Sequence, residues 1–174
     1  NKQSKWITNS LSRKFSHLLR SQTDAILSSS NTIINDNSNL TCRLNGLSGQ
    51  SPYKIIIDRK LKINKSSMIF KSFFGEKTII YFNSINFKKK PPIVDLENVI
   101  YKDLRTIPNI KKDFWNYLLK DITDYGINNL MIESGPIFSN VLFKKKLIDQ
   151  IAIFRSGKII GNDGIPFIGN LDSN

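Results

Sequence analysis

The stretch KIIID, residues 54 to 58, runs three isoleucines together before an aspartate. A strand with one face in water alternates apolar and polar residues, whereas a strand buried on both faces reads as a continuous apolar run. Similar short runs, bounded by turn-forming residues, recur along the chain, and each predicts a strand. They are AILSS (25–29), KTIIYF (77–82), NVIY (98–101), NLMIE (129–133), DQIAIF (149–154) and KII (158–160).

Segments with the helical spacing of apolar residues alternate with these strands. LSRKFSHLLR (11–20) follows candidate capping residues, and the segment 111–125 carries a long apolar stripe that Gly126 ends. PIFSNVLFKKKL (136–147) opens with a proline, which suits the first position of a helix. Alternating strands and helices predict a single α/β domain, with a mostly parallel central sheet and helices on both faces.

The composition excludes several classes of protein. The 174 residues are 40% hydrophobic, yet no apolar stretch approaches the roughly 18 residues that a membrane span needs. With one cysteine, Cys42, and one histidine, His17, the chain can build neither a disulfide framework nor a Cys/His zinc site. We therefore expect a soluble protein of a reducing compartment, the cytoplasm, that binds no metal. His17 lies off the apolar stripe of its helix, which predicts a solvated side chain.

The net charge of +12 raises the question of a polyanionic partner. The excess is mainly lysine, with 20 lysines against 6 arginines, and it accompanies 27 isoleucines and 19 asparagines. An AT-rich genome favours all three residues, since their codons use A and T. The lysine runs are not interleaved with the aromatic side chains on which single-stranded nucleic acids stack. We expect a small phosphate-bearing ligand rather than a nucleic acid.

Polar residues follow three of the predicted strands, at the edge where ligands of parallel sheets bind. The segment TIINDNSNLTCR (32–43) is predicted to be neither helix nor strand, with Asp36 and Arg43 near its ends. Arg59 follows the strand 54–58. The sequence ESGP (133–136) combines a carboxylate with a helix start suited to phosphate. The alternative is that all three are ordinary surface connections.

Five motifs occur in order along nearly the whole chain: QSKWIT (3–8), LLRSQTDAILSSSNTIINDNSNLTCR (18–43), IIIDRKL (55–61), INNLMIESGP (127–136) and KIIGNDGIP (158–166). Together they resemble the reductase domain of the bifunctional riboflavin-biosynthesis deaminase/reductase. The resemblance implies a fold similar to dihydrofolate reductase. It also implies that NADPH reduces the ribose of 5-amino-6-(5-phosphoribosylamino)uracil to a ribityl chain.

The resemblance also implies roles for individual residues. Its substrate positions match Ser4, Arg20, Leu40, Arg43 and Glu133. Its NADP positions match Trp6, Thr32, Asp36, Arg59, Gly135, Pro136, Ile137, Phe138, Ser139, Asn140 and Val141. On this interpretation the segment 32–43 is a ligand-facing loop with a cofactor side and a substrate side.

Residues 1–174 are accordingly expected to form one reductase domain, truncated at both ends relative to the family. The zinc-dependent deaminase domain that usually precedes it is absent from this sequence, as is its H-x-E and P-C-x-x-C pattern. The resemblance implies a homodimer, with the segment 149–160 pairing across a two-fold axis. Two alternatives remain open: a reductase of the same fold acting on another pterin or pyrimidine, and a non-catalytic basic module that binds nucleic acid.

Overall fold

The structure, a computed structural model, describes residues 8–158 and Pro166. In this part of the chain, five strands form one parallel sheet in the order β4-β3-β2-β1-β5. The strands are β1 (Ala25–Ser29), β2 (Tyr53–Ile57), β3 (Thr78–Phe82), β4 (Val99–Asp103) and β5 (Leu130–Ile132). Each of the five lies within two residues of a strand predicted from a continuous apolar run, so the predicted parallel sheet is confirmed.

Both faces of the sheet are buried, which explains the unbroken apolar runs. Leu27, Ile55 and Ile79 lie in register on adjacent strands and belong to one core cluster. Ile26 and Ile56 point to the opposite face and belong to a second cluster. Successive residues of a strand point to opposite faces, so each strand supplies both cores in turn.

Within residues 8–158, four α-helices accompany the sheet: α1 (Ser10–Ser21), α2 (Ser30–Asp36), α3 (Phe114–Thr123) and α4 (Pro136–Lys144). Trp115 and Leu118 of α3 and Leu142 of α4 pack on the first face, whereas Ile33 of α2 packs on the second. Helices on both faces are therefore confirmed. Helix α3 begins three residues later than predicted because the side chain of Asp113 caps it, accepting a hydrogen bond from the Asn116 N–H.

Helix α2 corrects the expectation that the segment 32–43 is wholly irregular. The side chain of Ser29 caps its start by accepting a hydrogen bond from the Thr32 N–H, and Asn37 ends it in the left-handed conformation (φ 45°). Of its seven residues only Ile33 is buried. A helix this short has too little apolar periodicity to be recognised from the sequence.

The strand predicted at 149–154 is wrong. Residues 151 to 154 have no regular secondary structure, and the side chains of Ile151 and Ile153 are 52% and 60% exposed. A strand is stabilised by a paired neighbour, and none pairs with this segment among residues 8–158. Phe154 instead stacks edge-on against Phe15 of α1, with 6.0 Å between ring centroids. The strand predicted at 158–160 and the glycine-bearing loop at 161–169 lie outside the described residues, apart from Lys158 and Pro166.

A buried ammonium group ties two loops to the amino end of β2. Lys54 is fully buried, and its Nζ lies 3.0 Å from Glu76 Oε1, 2.7 Å from Asn39 Oδ1 and 2.9 Å from the Lys71 carbonyl oxygen. Burial lowers the pKa of Lys54, and the hydrogen bond and charge of Glu76 oppose that shift. All three protons of the ammonium are thus matched to acceptors, as burial of a charge requires.

Candidate functional site

An arginine–carboxylate pair joins the last turn of α1 to the residue that follows β5. Arg20 donates from Nε to Glu133 Oε1 and from Nη2 to Glu133 Oε2, both at 2.7 Å. The Glu133 side chain is 22% exposed and the Arg20 side chain 12%. Each carboxylate oxygen keeps a further lone pair for a ligand, because this two-pronged contact uses only one on each.

The same arginine reaches the segment 37–43. Arg20 Nη1 donates to the Thr41 carbonyl oxygen at 2.9 Å. His17, one turn earlier on α1, places its Nδ1 3.1 Å from that oxygen and 3.3 Å from the backbone nitrogen of Arg43. The prediction of a solvated His17 is therefore wrong: the ring is half-buried against this segment. Burial, and then the charges of Arg20 and Arg43, lower its pKa.

Leu40 and Arg43 occupy this segment in different ways. Leu40 has a left-handed backbone (φ 56°), and its side chain is buried in the second core. A left-handed leucine costs free energy, so the surrounding contacts must hold it there. The side chain of Arg43 is exposed, and its guanidinium makes no hydrogen bond or ion pair with any residue of 8–158. The adjacent Cys42 N–H donates to Ser51 Oγ at 3.1 Å.

Three hydroxyl groups meet where β1 and β5 end. Thr32 Oγ1 lies 3.1 Å from Ser29 Oγ and 3.2 Å from Ser134 Oγ, and it accepts a hydrogen bond from the Gly135 N–H at 3.3 Å. Gly135 precedes α4, and no side chain caps that helix. The cluster therefore lies beside the positive end of a helix. Asp36 follows Thr32 by four residues, so the two share one face of α2; its side chain is exposed.

Some side chains between Gly135 and Val141 pack in the core, and others are exposed to solvent. Phe138 packs against Trp115, with 5.4 Å between ring centroids, and so belongs to the core. Ile137 and Val141 are 83% and 41% exposed on the other side of the helix. Gly135 is exposed at the helix start, and Ser139 Oγ lies 3.5 Å from the Ser134 carbonyl oxygen.

A basic cavity of about 550 Å³ lies at the carboxyl ends of β2, β3 and β4. Arg59 lines it, and the guanidinium of that residue rests on the Phe114 ring at 4.6 Å from the centroid. Arg105 also lines the cavity and donates to Ser84 Oγ at 3.0 Å. Lys111 and Lys112 complete the set of cations. The sequence pointed to Arg59 alone, because nothing in the chain order indicates that the turn after β4 reaches the same cavity.

The structure thus brings together most of the residues that the sequence singled out. Arg20, Glu133 and the backbone carrying Arg43 form one group, which we call the arginine–glutamate group. Thr32 and Gly135, with Ser29 and Ser134, form a second, which we call the hydroxyl cluster. Arg59 is in the separate basic cavity. Ser4 and Trp6 lie outside the described residues.

Residues 8–158 lack both a metal-binding cluster and a membrane-spanning helix. No group of three or more His, Cys, Asp or Glu side chains could hold a metal ion in the part of the chain that the structure describes. No helix in that part is both long and apolar enough to cross a bilayer.

Comparison with known sequences gives matches over nearly the whole chain. The chain is 32% identical, over 95% of its length, to the 5-amino-6-(5-phosphoribosylamino)uracil reductase of Buchnera aphidicola subsp. Acyrthosiphon pisum, and covers 81% of that protein. It is 31% identical over 97% of its length to the riboflavin biosynthesis protein RibD of Aquifex aeolicus. It spans only 44% of the latter, less than half of that relative.

Solved structures show the same fold. The riboflavin biosynthesis reductase Rib7 of Saccharomyces cerevisiae is 27% identical and superposes with a TM-score of 0.59, over 76% of this chain and 58% of that one. The deaminase/reductase of Thermotoga maritima superposes with a TM-score of 0.61 at 22% identity, over 82% of this chain and 36% of that one. A family model described as the RibD C-terminal domain matches residues 1–174. The chain therefore belongs to the RibD C-terminal domain family, in which known members are reductases with a fold similar to dihydrofolate reductase.

Proposed function

We propose that this chain is an NADPH-dependent reductase that converts the ribose of 5-amino-6-(5-phosphoribosylamino)uracil into a ribityl chain in riboflavin biosynthesis. Membership of the family and the reductase name of the Buchnera relative support this activity. Residues 1–174 as one working reductase domain are part of the proposal, as are a cytoplasmic location and a homodimer.

One observation carries the proposal: the arginine–glutamate group adjoins the hydroxyl cluster at one edge of the sheet. Glu133 and Gly135 are separated by a single residue, Ser134, whose hydroxyl belongs to the cluster. A polar substrate and an anionic cofactor bound at these two groups would therefore meet. Hydride transfer requires such close and oriented contact between two ligands.

The residues at the hydroxyl cluster fit a dinucleotide cofactor. The start of α4 has no side-chain cap and presents a positive helix end, and the exposed Gly135 lets a pyrophosphate approach closely. Thr32 and Asp36, on one face of α2, are available to hydrogen-bond a ribose or amide. Bound NADPH would supply the hydride to the sugar carbon, and this chain's residues would hold both partners in place.

The basic cavity favours NADPH over NADH. The two cofactors differ by one 2′-phosphate on the adenosine. Arg59 and Arg105 present planar guanidiniums that suit a phosphate, and Phe114 holds the first of them while Ser84 holds the second. The adenosine end of the cofactor would therefore extend from the hydroxyl cluster toward the carboxyl ends of β2 to β4.

The arginine–glutamate group fits the substrate. Arg43, whose exposed guanidinium has no hydrogen-bond or ion-pair partner among residues 8–158, is the natural ligand for the sugar phosphate. Glu133 keeps lone pairs that can accept hydrogen bonds from the amino groups of the pyrimidine. Leu40 would contribute through its fixed backbone, since its side chain is buried in the core.

Oxidation of NADPH, followed by absorbance, tests the proposal. We expect oxidation with 5-amino-6-(5-phosphoribosylamino)uracil and much weaker oxidation with the dephosphorylated nucleoside. Equal rates with both would favour a different pyrimidine or pterin substrate. No oxidation of bound NADPH with any of these compounds would contradict the proposal.

A further inference from the structure

His17 holds the backbone that presents Arg43. The ring lies on α1, and its Nδ1 stands between two backbone groups of the facing segment, the Thr41 carbonyl at 3.1 Å and the Arg43 N–H at 3.3 Å. A protonated Nδ1 donates to the first, and an unprotonated Nδ1 accepts from the second. In either form the ring contacts the peptide next to the Arg43 side chain.

Arg20 holds the same segment from the next turn of the helix. Its Nη1 donates to the Thr41 carbonyl, while Nε and Nη2 engage Glu133. Residues three apart on a helix lie on one side of it. His17 and Arg20 therefore form a two-point clamp that fixes the direction in which Arg43 leaves the backbone.

We propose that His17 is a positioning residue for the phosphate end of the substrate. It orients Arg43, and it takes up a proton when an anion binds there. The inference rests on the proposed function, because it assigns the anion at Arg43 to the sugar phosphate. His17 itself need not touch the substrate.

The charges around the ring explain the link to protonation. The groups that face it are Arg20 on α1, Arg43 on the segment 37–43, and Glu133 after β5; Arg13 and Lys14 lie one turn earlier on α1. Among the ring and the groups around it, only His17 is of a residue type whose ordinary pKa is near neutrality. Burial and the two arginines lower the pKa of His17 in the free protein. A phosphate dianion between those arginines offsets their field, so the ring binds a proton more readily in the complex.

The sign of the pH effect follows from that shift. Because the complex binds the proton more tightly than the free protein, phosphate binding takes up a proton at His17. Substrate affinity therefore falls as the pH rises through the interval between the two pKa values of the ring. The phosphate itself becomes a dianion above about pH 6, which has the opposite effect, so the contribution of His17 is seen only against a variant with a side chain that cannot titrate.

The experiment compares His17→Ala and His17→Gln with the unaltered chain, measuring kcat and KM for both ligands from pH 6 to 9. Loss of one hydrogen bond worth about 0.5 to 1.5 kcal/mol raises the substrate KM of His17→Ala by about twofold to tenfold. We expect kcat and the KM for NADPH to stay within about twofold. Gln can donate to the Thr41 carbonyl or accept from the Arg43 N–H, so the substrate KM of His17→Gln should be close to that of the unaltered chain. Gln does not titrate, so the pH dependence of that KM should lack the contribution of His17. Lys14→Ala, an exposed residue of the same helix, is the control and changes neither KM.

Several outcomes would overturn the inference. An unchanged substrate KM in His17→Ala, an equal rise in both KM values, or a His17→Gln variant with the pH profile of the unaltered chain would each do so. Arg43→Ala separates this failure from failure of the proposed function. If Arg43→Ala raises the substrate KM and His17→Ala does not, only the inference falls. If Arg43→Ala leaves the substrate KM unchanged, the proposed substrate side falls as well.

Discussion

Removing the Arg43 side chain should weaken the substrate and leave the cofactor unaffected. The guanidinium makes no hydrogen bond or ion pair with residues 8–158, so Arg43→Ala breaks none in that part of the free protein. A hydrogen bond to a charged group is worth about 1.5 to 3 kcal/mol. At about 1.4 kcal/mol for each factor of ten, the substrate KM should rise about tenfold to a hundredfold.

The assay is steady-state oxidation of NADPH with each ligand varied in turn. We expect the KM for NADPH to change by less than about twofold, because the proposed function assigns Arg43 to the substrate phosphate and not to the cofactor. The unfolding free energy should change by no more than about 0.5 kcal/mol, as for most surface substitutions.

Lys120→Ala is the matched control. It removes an exposed positive charge from the last turn of α3, a helix that starts near the carboxyl ends of the strands and runs away from them. A substrate KM that rises equally in both variants would show a general charge effect. A substrate KM that rises in neither would refute the assignment of Arg43 to the phosphate.

Four further predictions concern the cofactor, the core and the assembly, with two of them on the core. Arg59→Ala should lower the ratio of kcat/KM for NADPH to that for NADH, and an unchanged ratio would remove Arg59 from the 2′-phosphate site. Lys54→Met leaves the buried Glu76 without its counter-ion and should lower the unfolding free energy by about 3 to 5 kcal/mol in denaturant titrations; a loss below about 1 kcal/mol would contradict this. Burial raises the pKa of Glu76, but hydrogen bonds from the Phe74 N–H and from Lys54, together with the Lys54 charge, lower it overall from its ordinary value of 4.5. Stability should therefore fall as the pH drops below that value, and Glu76→Gln should lose that pH dependence. Sedimentation should show a dimer at micromolar concentration that Phe154→Ser weakens, and a monomer in the unaltered chain would contradict the proposed assembly.

The strands were predictable because each apolar run is a local property of the chain. Runs such as KIIID are typical of a strand buried on both faces, and they form one where a neighbouring strand pairs with them. The helix α2 was not predictable, since it rests on one cap, one buried isoleucine and the tertiary contacts of Asn37. The segment 149–154 shows the reverse error: a sequence suited to a strand does not form one without a neighbour to pair with.

The resemblance to a known family predicted part of the site, and the rest of the site was not predicted. Arg20 and Glu133 are 113 residues apart, and only the fold brings their charged groups to 2.7 Å. The part played by His17 depends on the path of the segment 37–43 past α1, which no local pattern encodes. Arg105 reaches the basic cavity through a short turn after β4, so its relation to Arg59 also emerges only in three dimensions.

The contacts of the segment 37–43 have a consequence for how fast and how tightly ligands bind. Asn37 accepts a hydrogen bond from the Met68 N–H, Asn39 accepts one from Lys54, and Thr41 accepts one from Arg20. Ordering the backbone of one free residue costs about 1 to 2 kcal/mol in entropy. Here the segment 37–43 is ordered when the protein folds, so ligand binding does not carry that entropic cost. A loop prepared in this way needs no slow rearrangement before it accepts the substrate. Encounter should then be governed by attraction between the basic surface and the phosphate, with an association rate that falls as salt is added.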